Sequence, residues 1–483
     1  LGFAFLLKEH ANNWNYRTQP EPGLNQRQVA LPRGKVLGGC SAINGMVYIR
    51  GQARDFDGWA ALGNSGWSYE KVLPYFKRSE DCESGDSAFH GRGGPLWVGS
   101  INNEFPLCDA FIAAAVEQGH QRNHDFNGAQ QYGVGFFPHN IRNGRRLSSA
   151  GAFLGAGKAL NNLTVISHAE AQRVVFDGDR ATGLACRVRG KPVTFTATRE
   201  VILCGGAINS PRLLELSGVG QADRLQQHGI AVIRDLPGVG ENLQDHWNAY
   251  IKRSTDQGRT YYSESRPLAM ARNLSRYIFR RQGLLANPAA LVAVFYPALD
   301  VPDADAQIHF APAASEVDVA GNMVPIDGIT ISTCGLRPSS RGHTHIGSAQ
   351  PHQAPHIQVN YLQTEHDQQV AVAALKKARE ICASRALAEY GGQELLPGED
   401  LTSDQDLLDC IRTTGEPVHH LAGSCKMGSD DQAVVNERLQ VHGLQGLRVA
   451  DASIMPTIVS GNTHAACVMI GEKAADMILE EQG

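Results

Sequence analysis

The segment at 201–220, "VILCGGAINSPRLLELSGVG", carries the pattern that decides the fold of this chain. A short apolar run comes first, two glycines follow it, and a stretch with helical character comes next. Glycines at such a junction let backbone N–H groups approach a ligand, because no Cβ stands in the way, and a helix N-terminus favours negative charge. The segment therefore predicts a strand, a turn and a helix of the kind that binds a phosphate-bearing cofactor.

Three further segments also contain glycines among apolar and small residues. A single segment of the kind is more often an ordinary turn or helix cap, but several in one chain favour a large cofactor with phosphate groups. The first of them is glycine-rich like a nucleotide loop, yet it contains neither GxGxxG nor GxxxxGK[ST]. The three are "PRGKVLGGCSAINGMVYIRG" at 32–51, "LPGVGENLQDH" at 236–246 and "LRVADASIMPTIVSGNTHAACVMIGEKAADMI" at 447–478.

The composition is that of a folded, soluble protein of two or three domains, with 483 residues of which 42% are apolar. The net charge of −5 is spread along the chain without blocks, which argues against nucleic acid as a partner. No apolar run reaches the ~18 residues that cross a bilayer. The ten cysteines have neither zinc spacing nor a disulfide pattern, so we expect no metal site and a reducing compartment. A cytoplasmic location is expected, and attachment to the periphery of a membrane stays open.

Hydrophobic periodicity outlines two kinds of structure. Apolar positions at helical spacing predict helices over 105–119 and 365–385. Alternation around "DGDR" predicts a hairpin within 163–203 that is followed by a buried strand at "REVILCGG". Four short segments in 305–361, namely "DAQIHFAP", "GITISTCGL", "HTHIGSA" and "HIQVNYL", predict a second, mostly antiparallel sheet. We find no internal repeat and no low-complexity linker, so the domains are expected to interleave along the chain.

Two short motifs place histidines where chemistry could use them. "VHHLAGSCKMG" at 418–428 contains His419 and His420, and "SGNTHAACVMIG" at 460–471 contains His464 ahead of an apolar helix. A lone histidine among the 18 of this chain is most often a polar residue with ordinary partners. The positive end of a helix dipole disfavours imidazolium, so we expect His464 to be neutral, as a base or hydrogen-bond acceptor must be.

These motifs and their order resemble the glucose-methanol-choline (GMC) family of FAD-dependent alcohol oxidoreductases, most of all its choline-dehydrogenase-like branch. The motifs "GGAINSP", "GVGENLQDH", "HLAGSCKMG" and "LRVADASIMPTIVSGNTHA" carry the resemblance over nearly the whole chain. It implies an α/β plus α+β fold, in which a Rossmann-like FAD-binding domain interleaves with a substrate domain built on a mostly antiparallel sheet with helices. The boundaries expected are 24–60, 145–249 and 437–483 for the FAD-binding domain, and 61–144 and 250–436 for the substrate-binding domain.

The resemblance implies a noncovalent FAD. In this family the loop matching 34–46 lies along the flavin, and some relatives attach FAD through a histidine that stands at the position of Ile43. Isoleucine cannot form that bond. Ala171 stands where valine often backs the adenine. The residues implied to contact FAD are Gly38, Gly39, Ser41, Asn44, Gly45, Met46, Ala171, Gly205, Asp451, Ala452 and Ala465.

Family members begin with a strand, a GxGxxG turn, a helix and a second strand that ends in an acidic residue. Together these elements make about 60 residues and precede the point where this chain starts. No GxGxxG occurs elsewhere in the chain to replace that turn. The sequence therefore resembles a truncated member without the N-terminal βαβ unit, that is, a fragment. On this interpretation we expect the chain as it stands to retain less than one FAD per molecule.

Carried over by position, His420 falls on the family's catalytic histidine and His464 on a second active-site position that is Asn or His in different branches. The implied reaction is oxidation of an alcohol to an aldehyde or ketone by hydride transfer to flavin N5. His420 would take the hydroxyl proton, a contribution of roughly 10² to 10⁴ in rate. His464 would hydrogen-bond the same oxygen, so the two should titrate as a pair. His419, Leu421 and Ala466 stand where tyrosine, proline and proline are common in the family.

Two other interpretations stay open from the sequence. A hydroxynitrile lyase uses the same fold and keeps FAD and the histidines without net redox chemistry. An inactive fragment would have only a packing or binding role. The expected partners are a small-molecule alcohol and an electron acceptor, be it a quinone, a dye or O₂, and no motif identifies either of them.

Overall fold

The computed structural model describes residues 10–101, 104–155, 161–317 and 322–481. Helices cover a substantial part of this chain, and α8 illustrates why they form. Thr364 caps its start by accepting a hydrogen bond from the backbone N–H of Asp367, and its buried residues recur every three or four positions. The helices are α1 Ala53–Ala61, α2 Tyr69–Ser79, α3 Pro106–Glu117, α4 Gly206–Leu216, α5 Ala222–Gln227, α6 Tyr261–Ser265, α7 Pro267–Arg280, α8 Glu365–Cys382, α9 Arg385–Ala388, α10 Asp404–Thr414 and α11 His464–Glu480.

The strands are numbered in the same way along the chain. They are β1 Tyr16–Arg17, β2 Ala30–Leu31, β3 Glu80–Cys82, β4 Leu96–Val98, β5 Gly133–Phe136, β6 Ile141–Arg142, β7 Arg145–Arg146, β8 Ala169–Asp177, β9 Arg180–Val188, β10 Lys191–Thr196, β11 Val201–Leu203, β12 Val219–Gly220, β13 Arg234–Asp235, β14 Trp247–Ser254, β15 Val292–Tyr296, β16 Ala306–Ala311, β17 Ala314–Val317, β18 Met323–Ile326, β19 Gly328–Gly335, β20 His343–His345, β21 His356–Gln358, β22 Glu394–Leu396, β23 Glu416–Pro417 and β24 Leu447–Val449.

One large antiparallel sheet has the strand order β22-β14-β19-β16-β15-β5, with β23 pairing beside β14. Helices α3 and α8 pack on the sheet, and Phe111 of α3 stacks on Phe310 of β16 with ring centroids 4.2 Å apart. From the same strands, polar side chains including Asn248, His309 and Ser332 line a large cleft. The sheet therefore has an apolar side that forms a core and a polar side that faces a site.

A second region contains the parallel pair β11 and β24, in which Val201, Ile202 and Leu203 lie opposite Leu447, Arg448 and Val449. The segment that follows β11 turns directly into α4, and the segment that follows β24 leads to a 3₁₀ turn at Ala452–Ile454. Strands β8, β9 and β10 form a separate antiparallel sheet. Because the carboxyl ends of parallel strands meet at one edge, both turns face the same cleft.

The predicted fold class is confirmed, since α/β and antiparallel α+β parts are both present. The helices predicted at 105–119 and 365–385 are α3 and α8, and the hairpin around "DGDR" is β8 and β9. Two of the four segments predicted for the second sheet are its strands β16 and β19. The other two, "HTHIGSA" and "HIQVNYL", pair only with each other as β20 and β21. The domain boundaries stay predictions. No helix of the described residues is long and apolar enough to cross a membrane.

A buried cluster of charges ties α2 and β3 to the rest of the fold. Arg50 donates to Glu80 Oε1 at 2.6 Å, and His90 lies between Glu80 (3.1 Å) and Asp125 (2.9 Å). Burial lowers the pKa of His90, but the hydrogen bonds to the carboxylates outweigh it and raise that pKa to about 11. Glu80, Cys82 and His90 also place potential ligand atoms within 4.8 Å of one another. Because His90 is protonated and Arg50 already contacts Glu80, the cluster is an ion-pair network.

We expect Glu80→Gln to destabilise the protein by about 3–5 kcal/mol, because Arg50 would then be a buried cation without its carboxylate partner. The matched control is Glu380→Gln, which breaks the exposed pair between Lys377 and Glu380 and should cost under about 1 kcal/mol. Thermal and denaturant unfolding followed by circular dichroism measure both. Equal losses in the two variants would contradict a stabilising role for the buried cluster.

Candidate active site

A cleft of about 1890 Å³ lies between the ends of the parallel strands and the polar side of the large sheet. Its volume exceeds the roughly 300–1,000 Å³ of an ordinary small-molecule site. The cleft therefore has room for a large cofactor beside a small substrate. Most of the site residues expected from the sequence line it; these are Gly38, Gly39, Ser41, Asn44, Gly45, Met46, Ala171, Gly205, His420, Asp451, Ala452 and His464. Ala465 is buried and does not line it.

The loop at 34–46 presents bare backbone to the cleft. Gly38 and Gly39 have φ values of 88° and 52°, in the left-handed region that glycine adopts without strain. A Cβ added to Gly39 or Gly45 would meet no protein atom within 4 Å, so the space beside these residues belongs to the cleft. The Ser41 hydroxyl donates to the Gly38 carbonyl at 2.6 Å and closes the turn. The loop is thus a rigid wall that a flat ligand can approach closely.

Arg146 holds this loop from behind. Its Nη1 donates to the Asn44 carbonyl at 2.7 Å, to Asn44 Oδ1 at 2.8 Å and to the Ser41 carbonyl at 3.2 Å. Burial lowers the pKa of Arg146 to about 10, which still leaves the guanidinium charged at neutral pH. A positive charge therefore lies beside the loop, and among the described residues its partners are carbonyl oxygens. No sequence motif identifies Arg146.

Asp451 joins the two strand ends. Its Oδ2 accepts hydrogen bonds from the Gly206 N–H at 2.8 Å and from the Ser210 hydroxyl at 2.5 Å. Its Oδ1 accepts from the N–H of Ser453 at 2.8 Å and from its hydroxyl at 2.5 Å. The carboxylate therefore caps the start of α4 and shapes the turn after β24. A Cβ added to Gly206 would meet nothing within 4 Å, so this junction too leaves open space at a helix N-terminus.

His420 makes two hydrogen bonds through its ring. Its Nδ1 lies 2.9 Å from Nδ1 of His246, and its Nε2 lies 3.1 Å from Nδ2 of Asn462. The backbone N–H of His420 donates to Asp245 Oδ1 at 2.6 Å. Within the described residues, no ring hydrogen bond joins His420 to His464. His464, which the sequence predicts to share the alcohol oxygen with His420, lines the same cleft, and the side chain in contact with His420 Nε2 is Asn462, two positions earlier.

Four histidines of the cleft, His309, His419, His420 and His464, have lowered pKa values that favour the neutral ring. Burial, followed by the nearby His246, His309, His419 and Arg33, lowers the pKa of His420 well below its usual value. Burial also lowers the pKa of His309 to about 4. His464 has a pKa lowered to about 4, first by burial and then by the charge of Arg146. The helix dipole at the start of α11 favours the same neutral form of His464.

Sequence reasoning missed two residues that touch His420. His246 stands at the end of the quoted segment "GVGENLQDH", and Asn462 stands in "SGNTHA". Both motifs were recognised, but the contact of His246 with His420 joins positions 174 residues apart. The one sequence signal for the contact between His246 and His420 is that His246 ends the motif "GVGENLQDH" and His420 begins the motif "HLAGSCKMG".

Comparisons with known proteins agree on one family. The family model described as GMC oxidoreductase matches residues 11–248 with its N-terminal part and 338–471 with its C-terminal part. The chain is 41% identical over 485 residues to an oxygen-dependent choline dehydrogenase of Pectobacterium carotovorum subsp. carotovorum, with 99% of this chain and 86% of the relative covered. It is 42% identical over 482 residues to the enzyme of that name from Yersinia pseudotuberculosis, with 98% and 85% covered.

Solved structures of related proteins share the fold of this chain. The fold is similar to pyridoxine 4-oxidase from Mesorbium loti, with a TM-score of 0.89 at 28% identity, covering 99% of this chain and 90% of that one. It is also similar to an FAD-dependent oxidoreductase from Chaetomium thermophilum, with a TM-score of 0.90 at 26% identity, covering 98% and 91%.

We expect the stability of the protein to fall as the pH falls from about 7 to about 5. Histidine has a pKa near 6.5 when unfolded, whereas the buried histidines of this fold keep much lower values, so the unfolded chain binds more protons in this range. Asp245 and Glu21, whose pKa values burial raises to about 6 and 7, act in the opposite direction, and so do His90 and His345, for which hydrogen bonds to carboxylates outweigh burial and raise the pKa. These groups are fewer. The histidines with lowered pKa values are His120, His139, His246, His309, His343, His419, His420 and His464.

Thermal unfolding between pH 7 and pH 5 measures this effect. His464→Asn should reduce the drop in Tm across the range, because it removes one of the groups that take up a proton on unfolding. His352→Gln, at an exposed position, should leave the drop unchanged. A Tm that stays level or rises on acidification would contradict the expectation.

Proposed function

This chain belongs to the GMC oxidoreductase family, and we propose that in its reaction His420 is the base that takes the hydroxyl proton from the alcohol. The reaction itself is FAD-dependent oxidation of a CH–OH donor. The observation that supports His420 is its hydrogen bond from Asn462. An amide NH₂ can only donate, so the Nε2 that faces it carries a lone pair.

The residues of the cleft fit FAD. Bare backbone at Gly39, Gly45 and Gly206 leaves space that a Cβ would take, and the start of α4 offers N–H groups to a phosphate. Ile43 has no atom that could bond covalently to the cofactor. Bound there, FAD supplies the acceptor for the hydride that leaves the carbinol carbon. The residues that would contact FAD are those that the family resemblance implies for it and that line the cleft. Arg146 would hold the loop at 34–46 in place beside them.

Proton transfer is the step that we assign to His420 and Asn462. The alcohol O–H takes the place of the Asn462 N–H as the donor to His420 Nε2, and the displaced amide N–H then donates to the alcohol oxygen. Gln307 supports this arrangement, because its Nε2 donates to Asn462 Oδ1 at 3.3 Å and so orients the amide. A neutral imidazole within hydrogen-bond reach of a hydroxyl contributes roughly 10² to 10⁴ in rate as a general base.

We assign His464 to the same alcohol oxygen from the start of α11. The residue lines the cleft and stays neutral at working pH, so its ring can either donate or accept a hydrogen bond. The positive charge of Arg146 and the N-terminus of α11 both favour negative charge on this side of the cleft. Together they would stabilise an oxygen that is losing its proton.

Choline is the first substrate to test, because the two relatives at 41% and 42% identity are named oxygen-dependent choline dehydrogenases. The cleft offers a carboxylate, Glu416, and an aromatic ring, Tyr250, whose strands are adjacent. Their proximity raises the pKa of Tyr250, after the larger effect of burial. A carboxylate and an aromatic face are the groups that recognise a quaternary ammonium.

The electron acceptor stays open among a quinone, a dye and O₂. We place the enzyme in the cytoplasm, since its ten cysteines are free, and peripheral contact with a membrane is compatible with this.

We expect His420→Ala to slow the reduction of FAD by alcohol by about two to four orders of magnitude while FAD stays bound. The variant removes the proposed base and leaves the loop at 34–46 untouched. Stopped-flow measurement of flavin absorbance in the FAD-loaded enzyme gives the rate, and His352→Ala at an exposed position is the control. A loss below tenfold would mean that another group takes the proton, with His464 the first to examine.

We expect His464→Asn to keep most of the rate and His464→Ala to lose more of it. An amide can hydrogen-bond the alcohol oxygen as imidazole does, whereas alanine leaves that oxygen without a partner. If His464 and His420 titrate as a pair, the asparagine variant should also shift the acidic limb of the pH profile, because one member of the pair is gone. Flavin reduction against pH in the three proteins is the measurement. If the acidic limb of the pH profile is the same in all three proteins, or if the alanine variant is as fast as the asparagine variant, His464 is only a packing residue.

A further inference from the structure

His246 is buried, and its ring contacts define which of its nitrogens carries hydrogen. Its Nε2 lies 3.0 Å from the carbonyl oxygen of Leu336, and a carbonyl can only accept. The hydrogen of His246 is therefore on Nε2. Burial lowers the pKa of His246 to about 4, so the ring is neutral and has no second hydrogen. Nδ1 of His246 therefore presents a lone pair.

That lone pair faces Nδ1 of His420 at 2.9 Å. A hydrogen bond at this distance needs a hydrogen on one of the two nitrogens, and His246 has none there, so Nδ1 of His420 is the donor. The neutral ring of His420 then has its own lone pair on Nε2, on the side of the cleft. Asn462 Nδ2, a donor, lies 3.1 Å from this same Nε2 and agrees with the assignment from the opposite side.

We propose that His246 is a positioning residue that selects the tautomer of His420. This inference rests on the proposed role of His420 as the base. With the hydrogen of His420 on Nε2 instead, two lone pairs would face each other at 2.9 Å, and the cleft would meet a donor where the reaction needs an acceptor. The carbonyl of Leu336 accepts the hydrogen on His246 Nε2 and so defines the tautomer of His246. The tautomer of His246 in turn defines the tautomer of His420.

The same contact supports His420 after it has taken a proton. The imidazolium keeps its Nδ1–H on the lone pair of His246, so the charge gains a hydrogen bond without movement of a second proton. The other titratable or charged groups near this pair are His309, His419 and Arg33, whose charges disfavour imidazolium at His420, and Asp245, whose Oδ1 accepts the His420 N–H. Asp245 Oδ2 accepts from the Tyr361 hydroxyl at 2.6 Å, which holds the carboxylate in place.

Two substitutions of His246 separate the proposed role from simple packing. His246→Leu removes the acceptor, and we expect kcat to fall about 10- to 100-fold with KM nearly unchanged and with the acidic limb of the pH profile displaced. His246→Asn can present an amide oxygen to His420 Nδ1, so kcat should recover to within about threefold of the native enzyme. The matched control is His139→Leu, since His139 is equally buried, also bonds a carbonyl, and does not touch His420.

The experiment uses the FAD-loaded enzyme and alcohol-driven flavin reduction, with FAD content and Tm recorded for every variant. ¹⁵N spectra of histidine-labelled native, His246→Leu and His246→Asn enzymes report directly which nitrogen of His420 is protonated. Loss of the Nδ1–H form in the leucine variant and its return with asparagine support the proposal. An unchanged tautomer in the leucine variant, or an equal loss of kcat in His139→Leu, overturns it. If His420→Ala itself retains the rate, the proposed base is wrong, while the ¹⁵N spectra still decide the role of His246.

Discussion

The carboxylate of Asp451 is the interaction on which the rest of the site depends. It binds Gly206 and Ser210, at the end of one parallel strand, and Ser453, in the turn after the other. That turn in turn accepts backbone hydrogen bonds from the segment after His420, where the N–H groups of Gly423 and Cys425 donate to the carbonyls of Ala452 and Ser453. Asp451 thus joins the start of α4 to the turn after β24 and, through that turn, to the segment that follows His420. Each of these hydrogen bonds is charge-assisted or lies in a cooperative network, which makes the arrangement rigid.

Burial determines the chemistry of the cleft more than any single charge does. Taking imidazole out of water disfavours its protonated form, and the histidines of the cleft repel one another's charge as well. A base must be unprotonated before it can act, and in water histidine is only partly so near pH 6.5. The fold therefore keeps His420 ready at the cost of stability in acid, because every buried neutral histidine favours unfolding once the pH falls below 6.5. Function and acid sensitivity have the same physical origin here.

Local patterns predicted much of the fold. The bounds of α3, α8 and the β8–β9 hairpin follow from periodicity and turn residues, since these depend on neighbours a few positions away. Strands β5, β14 and β15 escaped notice, although β15 is buried throughout. A short apolar run of this length does not reveal whether it is a strand or part of a helix. The pairing of β20 with β21, away from the large sheet, also depends on contacts that no local pattern records.

The sequence by itself determined the family, and the family resemblance then implied the cofactor class and most of the candidate residues that line the cleft, because the glycine-rich motifs keep their order along the chain. Only the tertiary structure decided which groups touch. Asn462 and not His464 contacts His420, and His246 reaches His420 from 174 positions away. Hydrogen bonds act over about 3 Å, and the path of the chain through the fold decides which side chains come that close. The tautomer that we propose for His420 therefore depends on a carbonyl, that of Leu336, which no motif identifies.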